Sequence, residues 1–186
     1  IDFELLSREF AHTRRKNLLL RDLDELVNQQ LSKMLFANPQ RIDYYDRYQE
    51  IIDAYNAEQN RATIEKTFMD LMELASSLDT EQQRYVREGF SSDEELSVYD
   101  LLFSENLTKQ EIETIKKVSV DLLTKIKQQI AKLDHWTDKQ ETKAIVDNLI
   151  RNTLWQELPN SYDVSDIQTY QKKIYEYVYM RYPEVA

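Results

Sequence analysis

The 186-residue chain contains one glycine, Gly89, and three prolines, and no other property restricts its fold as much. Sheet proteins spend glycine and proline on hairpins and bulges, where the backbone needs positive φ or a fixed bend. With so few, the chain is expected to be all-α, its helices joined by short connections. The scarcity also excludes chemistry. A phosphate-cradling loop brings backbone amides against its ligand at glycines, so neither the P-loop nor the dinucleotide fingerprint can be written here. Cysteine is absent, which removes disulfides, thiolate metal sites and cysteine nucleophiles. That absence fits a reducing cytoplasm.

Apolar spacing supports the helical reading. Phe3, Leu6 and Phe10, then Leu19, Leu23, Leu26, Leu31 and Met34, recur mostly at steps of three and four, as one helix face requires. The polar run His12 to Asn17 interrupts them. Asn38-Pro39 marks a helix start, with Asn as cap and Pro at the first helical position. Ile42, Tyr45, Tyr48, Ile52 and Tyr55 continue to about Asn56. A third helix is expected from Arg61 to near Glu88, bending at Asp79-Thr80 and facing Ile64, Phe68, Leu71, Leu74, Ala75 and Leu78 inward. Gly89 fits a left-handed C-terminal cap. Ser92 with Glu95, Thr108 with Glu111, and Thr137 with Gln140 each have capping-box spacing. The stripe Ile112, Ile115, Leu122, Ile126, Ile130, Leu133 follows the second. Ile145, Leu149 and Leu154 follow the third, before Leu158-Pro159. Ser165 is expected to cap a last helix to about Tyr182. The fold class is therefore all-α, a single helical bundle domain of about seven helices. With hydrophobic residues at 41% and charged ones at 31%, it has the makings of one domain with a real core. No stretch approaches the roughly 18 apolar residues that span a bilayer.

The chemistry-bearing residues are few. Trp136 beside His135 reads as a cap-and-staple turn, not a site. Glu141-Thr142-Lys143 has the acid and lysine of a metal-dependent nuclease pattern. That pattern works on a strand, where alternate residues share a face; on a helix the two lie roughly 200° apart and cannot converge on one metal. The two histidines, His12 and His135, lack zinc-ligand spacing. No strand-turn-helix nucleophile elbow is visible. Catalytic, cofactor and metal residues are thus assigned to none. Arg14-Arg15-Lys16 is the candidate phosphate contact, weighed against a solvated stretch. The chain's -10 formal charge disfavours holding nucleic acid alone and suits a basic protein partner. Twelve tyrosines are the excess in the composition. Tyr170, Tyr175, Tyr177, Tyr179 and Tyr182 surround one terminal helix and cannot all face one core. Tyrosine is favoured where a partner covers the surface. Trp136, Tyr170, Tyr175, Tyr179 and Tyr182 are the candidate partner interface.

The ordered segments "NPQRIDYYDRYQEIIDAYN", "SSDEELSVYDLLFSEN" and "DHWTDKQETKAIVDNLIRNTL", with the tyrosine-rich end, resemble the C-terminal helical domain of the restriction subunit of type I restriction–modification enzymes. The resemblance runs from about Asn38 onward, and "LSKMLFANP" fits the connection from a motor region. Residues 1–37 are read as that helical connection and 38–186 as the domain, one compact unit overall. The start at Ile1-Asp2-Phe3, without an initiator Met, is read as a piece of a longer chain. One departure stands out: the family usually has Asp directly before the Trp-Thr pair, where this chain has His135, with Asp134 one residue earlier.

The resemblance implies a parent that cleaves DNA after ATP-driven translocation, an ATP-dependent type I site-specific deoxyribonuclease using ATP and Mg2+. Its nuclease and motor parts lie N-terminal to these residues. It implies that this domain is non-catalytic and attaches the motor subunit to the methyltransferase core. The partners are the methyltransferase and specificity subunits, with DNA met through the parent assembly, no membrane, and a cytoplasmic location. The alternative is a domain that itself grips DNA beside the motor, through Arg14 to Lys16 and Lys116, Lys117, Lys125 and Lys127. A stand-alone enzyme would need a charged pocket lined by converging acids.

Overall fold

Side chains close the helix starts that glycine cannot. In the computed structural model, which describes residues 2–58 and 60–183, nine α-helices and one 3-10 turn make up the regular structure, with no strand among the described residues. They are α1 (Phe3–His12), α2 (Lys16–Ala37), the 3-10 turn Pro39–Arg41, α3 (Ile42–Ala57), α4 (Arg61–Gln82), α5 (Arg84–Arg87), α6 (Asp93–Leu102), α7 (Lys109–Ile130), α8 (Gln140–Glu157) and α9 (Val164–Arg181). Side-chain oxygens of Asp2, Asn38, Asn60, Ser92, Thr108 and Asp163 accept the amides of Leu5, Gln40, Thr63, Glu95, Glu111 and Asp166 at the helix starts. Each such cap satisfies an amide that has no partner inside the helix. Gly89 takes φ +84. Its N–H donates to the Val86 carbonyl at 3.1 Å, and that of Phe90 to Tyr85 at 2.9 Å. These are the paired bonds of a Schellman stop, as its position predicts.

Two expected caps are corrected. Ser165 lies inside α9, and the cap is Asp163, in a reciprocal box with Asp166. Thr137 caps nothing: α8 begins at Gln140 after Lys139, with no side-chain cap. Burial of Trp136 draws the chain inward, and a further turn follows, with the Asp138 N–H donating to the His135 carbonyl at 3.0 Å. The Thr142 hydroxyl donates instead to the carbonyls of Trp136 and Lys139, at 2.7 and 3.0 Å. Helices also outnumber the expected seven, because the chain breaks between His12 and Lys16 and again at Gln83.

The chain forms two compact units, Ile1–Arg84 and Tyr85–Ala186, each with its own hydrophobic core. Residues 1–37 are expected as a connection, and from them Phe10, Leu20, Leu23, Val27, Leu31 and Met34 lie in the first core. There α2 and α3 both pack on α4, burying Leu20, Leu23, Val27, Leu31, Phe68, Leu71, Leu74 and Leu78. Phe10 of α1 stacks on Phe68. In the second unit α6 packs on α7, α7 on α8, α8 on α9, and α9 closes the ring against α6. No helix among the described residues is long and apolar enough to cross a membrane.

Buried charge in the first unit is compensated. Arg41, its side chain 3% exposed, sits in the 3-10 turn and reaches Glu81 near the end of α4 at 3.0 Å, while Arg84 meets the same oxygen at 2.9 Å. Burial, then the Glu81 charge, raises the neighbouring Tyr44 phenol above its ordinary value. Removing one partner from a buried pair strands the other in a poor solvent for ions. Glu81→Ala is expected to cost about 3–5 kcal/mol in urea unfolding. Arg41→Met combined with Glu81→Leu is expected to recover most of that loss.

Candidate functional site

The tyrosine-rich α9 and the loop after α7 come together in the second unit. Trp136 is 1% exposed, and its Nε1–H donates to the Tyr182 carbonyl at 2.6 Å. Edge-on contacts to Tyr175 and Tyr179, with ring centres at 6.2 and 5.7 Å, flank the indole. An indole N–H needs a partner when buried, and the end of α9 provides one. Trp136 and Tyr182, expected at a partner surface, are therefore core residues. Tyr170 and Tyr175 are half-buried, and Tyr170 meets the Tyr162 ring. Burial is the first cause raising the phenols of Tyr175, Tyr177 and Tyr182, so all three act as neutral groups. Of the expected interface residues Tyr179 alone is exposed, at 39%, with Lys143 Nζ 5.7 Å from its ring centre. Its neighbour Met180 is 72% exposed, and Trp155 near the end of α8 is 49% exposed. Neither residue was singled out by the sequence reading. Both are apolar positions off the buried stripe of their helices, and that is the only signal the sequence carries.

The Glu141-Thr142-Lys143 run lies in the first turn of α8. Lys143 is turned to Tyr179, and no three acids or histidines among the described residues are grouped to hold a metal ion. His135 pairs loosely with exposed Asp134, Nε2 to Oδ1 at 3.6 Å.

Most of the α7 lysines offered for DNA contact are held internally. Lys116 donates to the Glu88 carbonyl at 3.0 Å and pairs with its carboxylate at 3.1 Å. Lys125 lies 2.6 Å from both Asp121 and Glu157, and those bonds, Asp121 first, raise its pKa. Lys127 pairs with Glu94 and lies over the Tyr182 ring. Lys117 is exposed and makes no such pair. In the first unit Arg14 and Arg15 are exposed, while Lys16 is half-buried, bonded to Glu65 at 2.6 Å and set over the Phe10 ring.

Against this geometry, a family model for the C-terminal part of the type I restriction enzyme HindI endonuclease subunit-like proteins matches residues 1–182. The chain belongs to that family. The match includes α1 and α2, which the segment-by-segment resemblance had left outside the domain. Searches of curated proteins and of solved structures find no match. A restriction-enzyme subunit of this family works within a multi-subunit complex. The restriction-subunit resemblance read from the sequence is thus the family shown, and the all-α fold is the fold observed.

Two outcomes test this account of the family's helical domain. Trp136→Ala is expected to destabilise the fold by about 3–5 kcal/mol in chemical unfolding, the usual range for deleting a buried large aromatic. Trp136→Phe, which loses the Nε1 bond but keeps a ring, should cost less. Burial opposes ionisation of Glu94, yet the Lys127 ammonium outweighs it and holds that carboxyl below the glutamate value of 4.5. A carboxylate with a depressed folded pKa adds stability above its unfolded pKa and loses it as pH falls through the folded one. Stability is therefore expected to drop on acidification below 4.5, and Lys127→Met to flatten that limb in unfolding curves across a pH series.

Proposed function

We propose that this domain attaches the endonuclease subunit to the methyltransferase and specificity subunits of its complex. The observation that carries the reading is the pair of exposed side chains Tyr179 and Met180, adjacent on α9, with Trp155 among the other exposed apolar residues of the second unit. Large aromatics and methionine are the residue types enriched where one protein covers another. The charge supports the same reading. A chain of -10 steers toward a partner surface of opposite sign and away from phosphate backbones. The domain's work in this reading is to be held rather than to transform a molecule. ATP and Mg2+ are assigned to motor and nuclease parts N-terminal to it, DNA is met through the assembled enzyme, and the setting is the cytoplasm.

Co-purification of the methyltransferase and specificity subunits with the whole endonuclease subunit, with and without these residues, tests the attachment. Loss of co-elution on deletion is expected, and equal recovery would refute it. Within the whole subunit, Met180→Asp, at a side chain 72% exposed, is expected to weaken association by at least about tenfold, as removal of an interface anchor does, while leaving the unfolding midpoint nearly unchanged.

A further inference from the structure

The break between α1 and α2 forms a hollow of about 480 Å3 beside the start of α4, within the approximate 300–1,000 Å3 range of small-ligand sites. Of its seven lining residues, Arg14, Arg15, Lys16 and Arg61 are cationic and none is acidic, in a chain whose net charge is -10. That local reversal of sign is the feature to explain.

The cations divide into two pairs. Glu65, behind the hollow, holds Lys16 Nζ at 2.6 Å and Arg61 Nε at 3.2 Å. These bonds, Lys16 first, keep its carboxyl below the ordinary value, with the Lys16 side chain partly buried and that of Arg61 exposed. Arg14 and Arg15 are exposed and make no ion pair among the described residues. Every other arginine of the first unit lies within ion-pair reach of a carboxylate: Arg8, Arg21, Arg41, Arg47, Arg61 and Arg84. Two adjacent guanidiniums without an ion pair lie on a concave wall, with two more cations beside them that share one carboxylate. Guanidinium forks match the tetrahedral oxygens of phosphate better than any other side chain does. α2 also begins here without a side-chain cap, which adds a favourable field for negative charge.

We propose that this hollow binds phosphate groups, with Arg14 and Arg15 as the contacting forks and Lys16 and Arg61 as the rim. The phosphate comes either from a nucleic-acid backbone or from a free polyphosphate. The site is independent of the docking surface, so failure of one leaves the other standing.

The whole chain is titrated at low salt in two arms: inorganic pyrophosphate followed by backbone amide NMR shifts, and a short fluorescent DNA duplex of mixed sequence followed by anisotropy. Pyrophosphate is expected to shift the amides of residues 13–17 and 61, and Arg14→Ala with Arg15→Ala to weaken binding by about tenfold. Lys172→Ala with Lys173→Ala, on α9, should change nothing. Both arginines are exposed and unpaired, so an unchanged melting curve is expected for their double variant. Duplex binding whose log affinity falls by about 0.9 per phosphate contacted with log salt assigns the site to a nucleic-acid backbone. Pyrophosphate binding without duplex binding assigns it to a free polyphosphate. No binding in either arm, or binding that survives the double arginine substitution, overturns the proposal.

Discussion

Closing helix ends without glycine is the constraint on which this structure depends. Each α-helix leaves about four amides and four carbonyls without internal partners, and a chain with one glycine has one easy left-handed stop. The chain meets the demand at its helix starts with short polar side chains, among them Asn38, Asn60, Thr108 and Asp163, each worth about 1 kcal/mol. At helix ends the chain leaves through extended residues, including Thr13, Asn38, Glu58, Phe103 and Leu158. Two of these precede prolines, which push the residue before them out of the helical region. With starts and stops settled locally, burial of each apolar stripe is left to decide the packing.

That order explains what could be read from the sequence. Positions where a local rule sufficed were legible: the Gly89 stop, the Thr108–Glu111 box, the Asn38 cap before Pro39, and the α4 stripe. Faces were read wrongly where two apolar neighbours competed. In α2 the buried set is Leu20, Leu23, Val27, Leu31 and Met34, at steps of three and four, while exposed Leu26 would have required a step of five. In α8 Val146, Ile150 and Leu154 are buried and Ile145 is exposed, for the same reason. The Thr137 cap failed because the deciding interaction is long-range: the Trp136 indole reaches a carbonyl 46 residues away. The division into two cores was hidden for a similar reason, since helical spacing shows that a face is buried but not against what.

Charge is distributed by the same economy. Three of the four α7 lysines that look available in a linear reading, Lys116, Lys125 and Lys127, are spent on Glu88, Asp121, Glu157 and Glu94. Such pairs at partly exposed positions add little stability each. Exposed apolar side chains include Tyr179 and Met180 on α9, and a basic cluster lies at the α1–α2 break.

Directly before Trp136 stands His135, where the resemblance drawn from the sequence leads to an expectation of Asp. His135 adopts φ +45, a left-handed backbone that most side chains resist but that Asn, Asp and His tolerate several-fold more often than others. Asp and His are thus interchangeable there as backbone pivots, although they differ in charge. In this chain the position reverses the backbone so that the following indole points inward, and His135→Asn would keep the same turn.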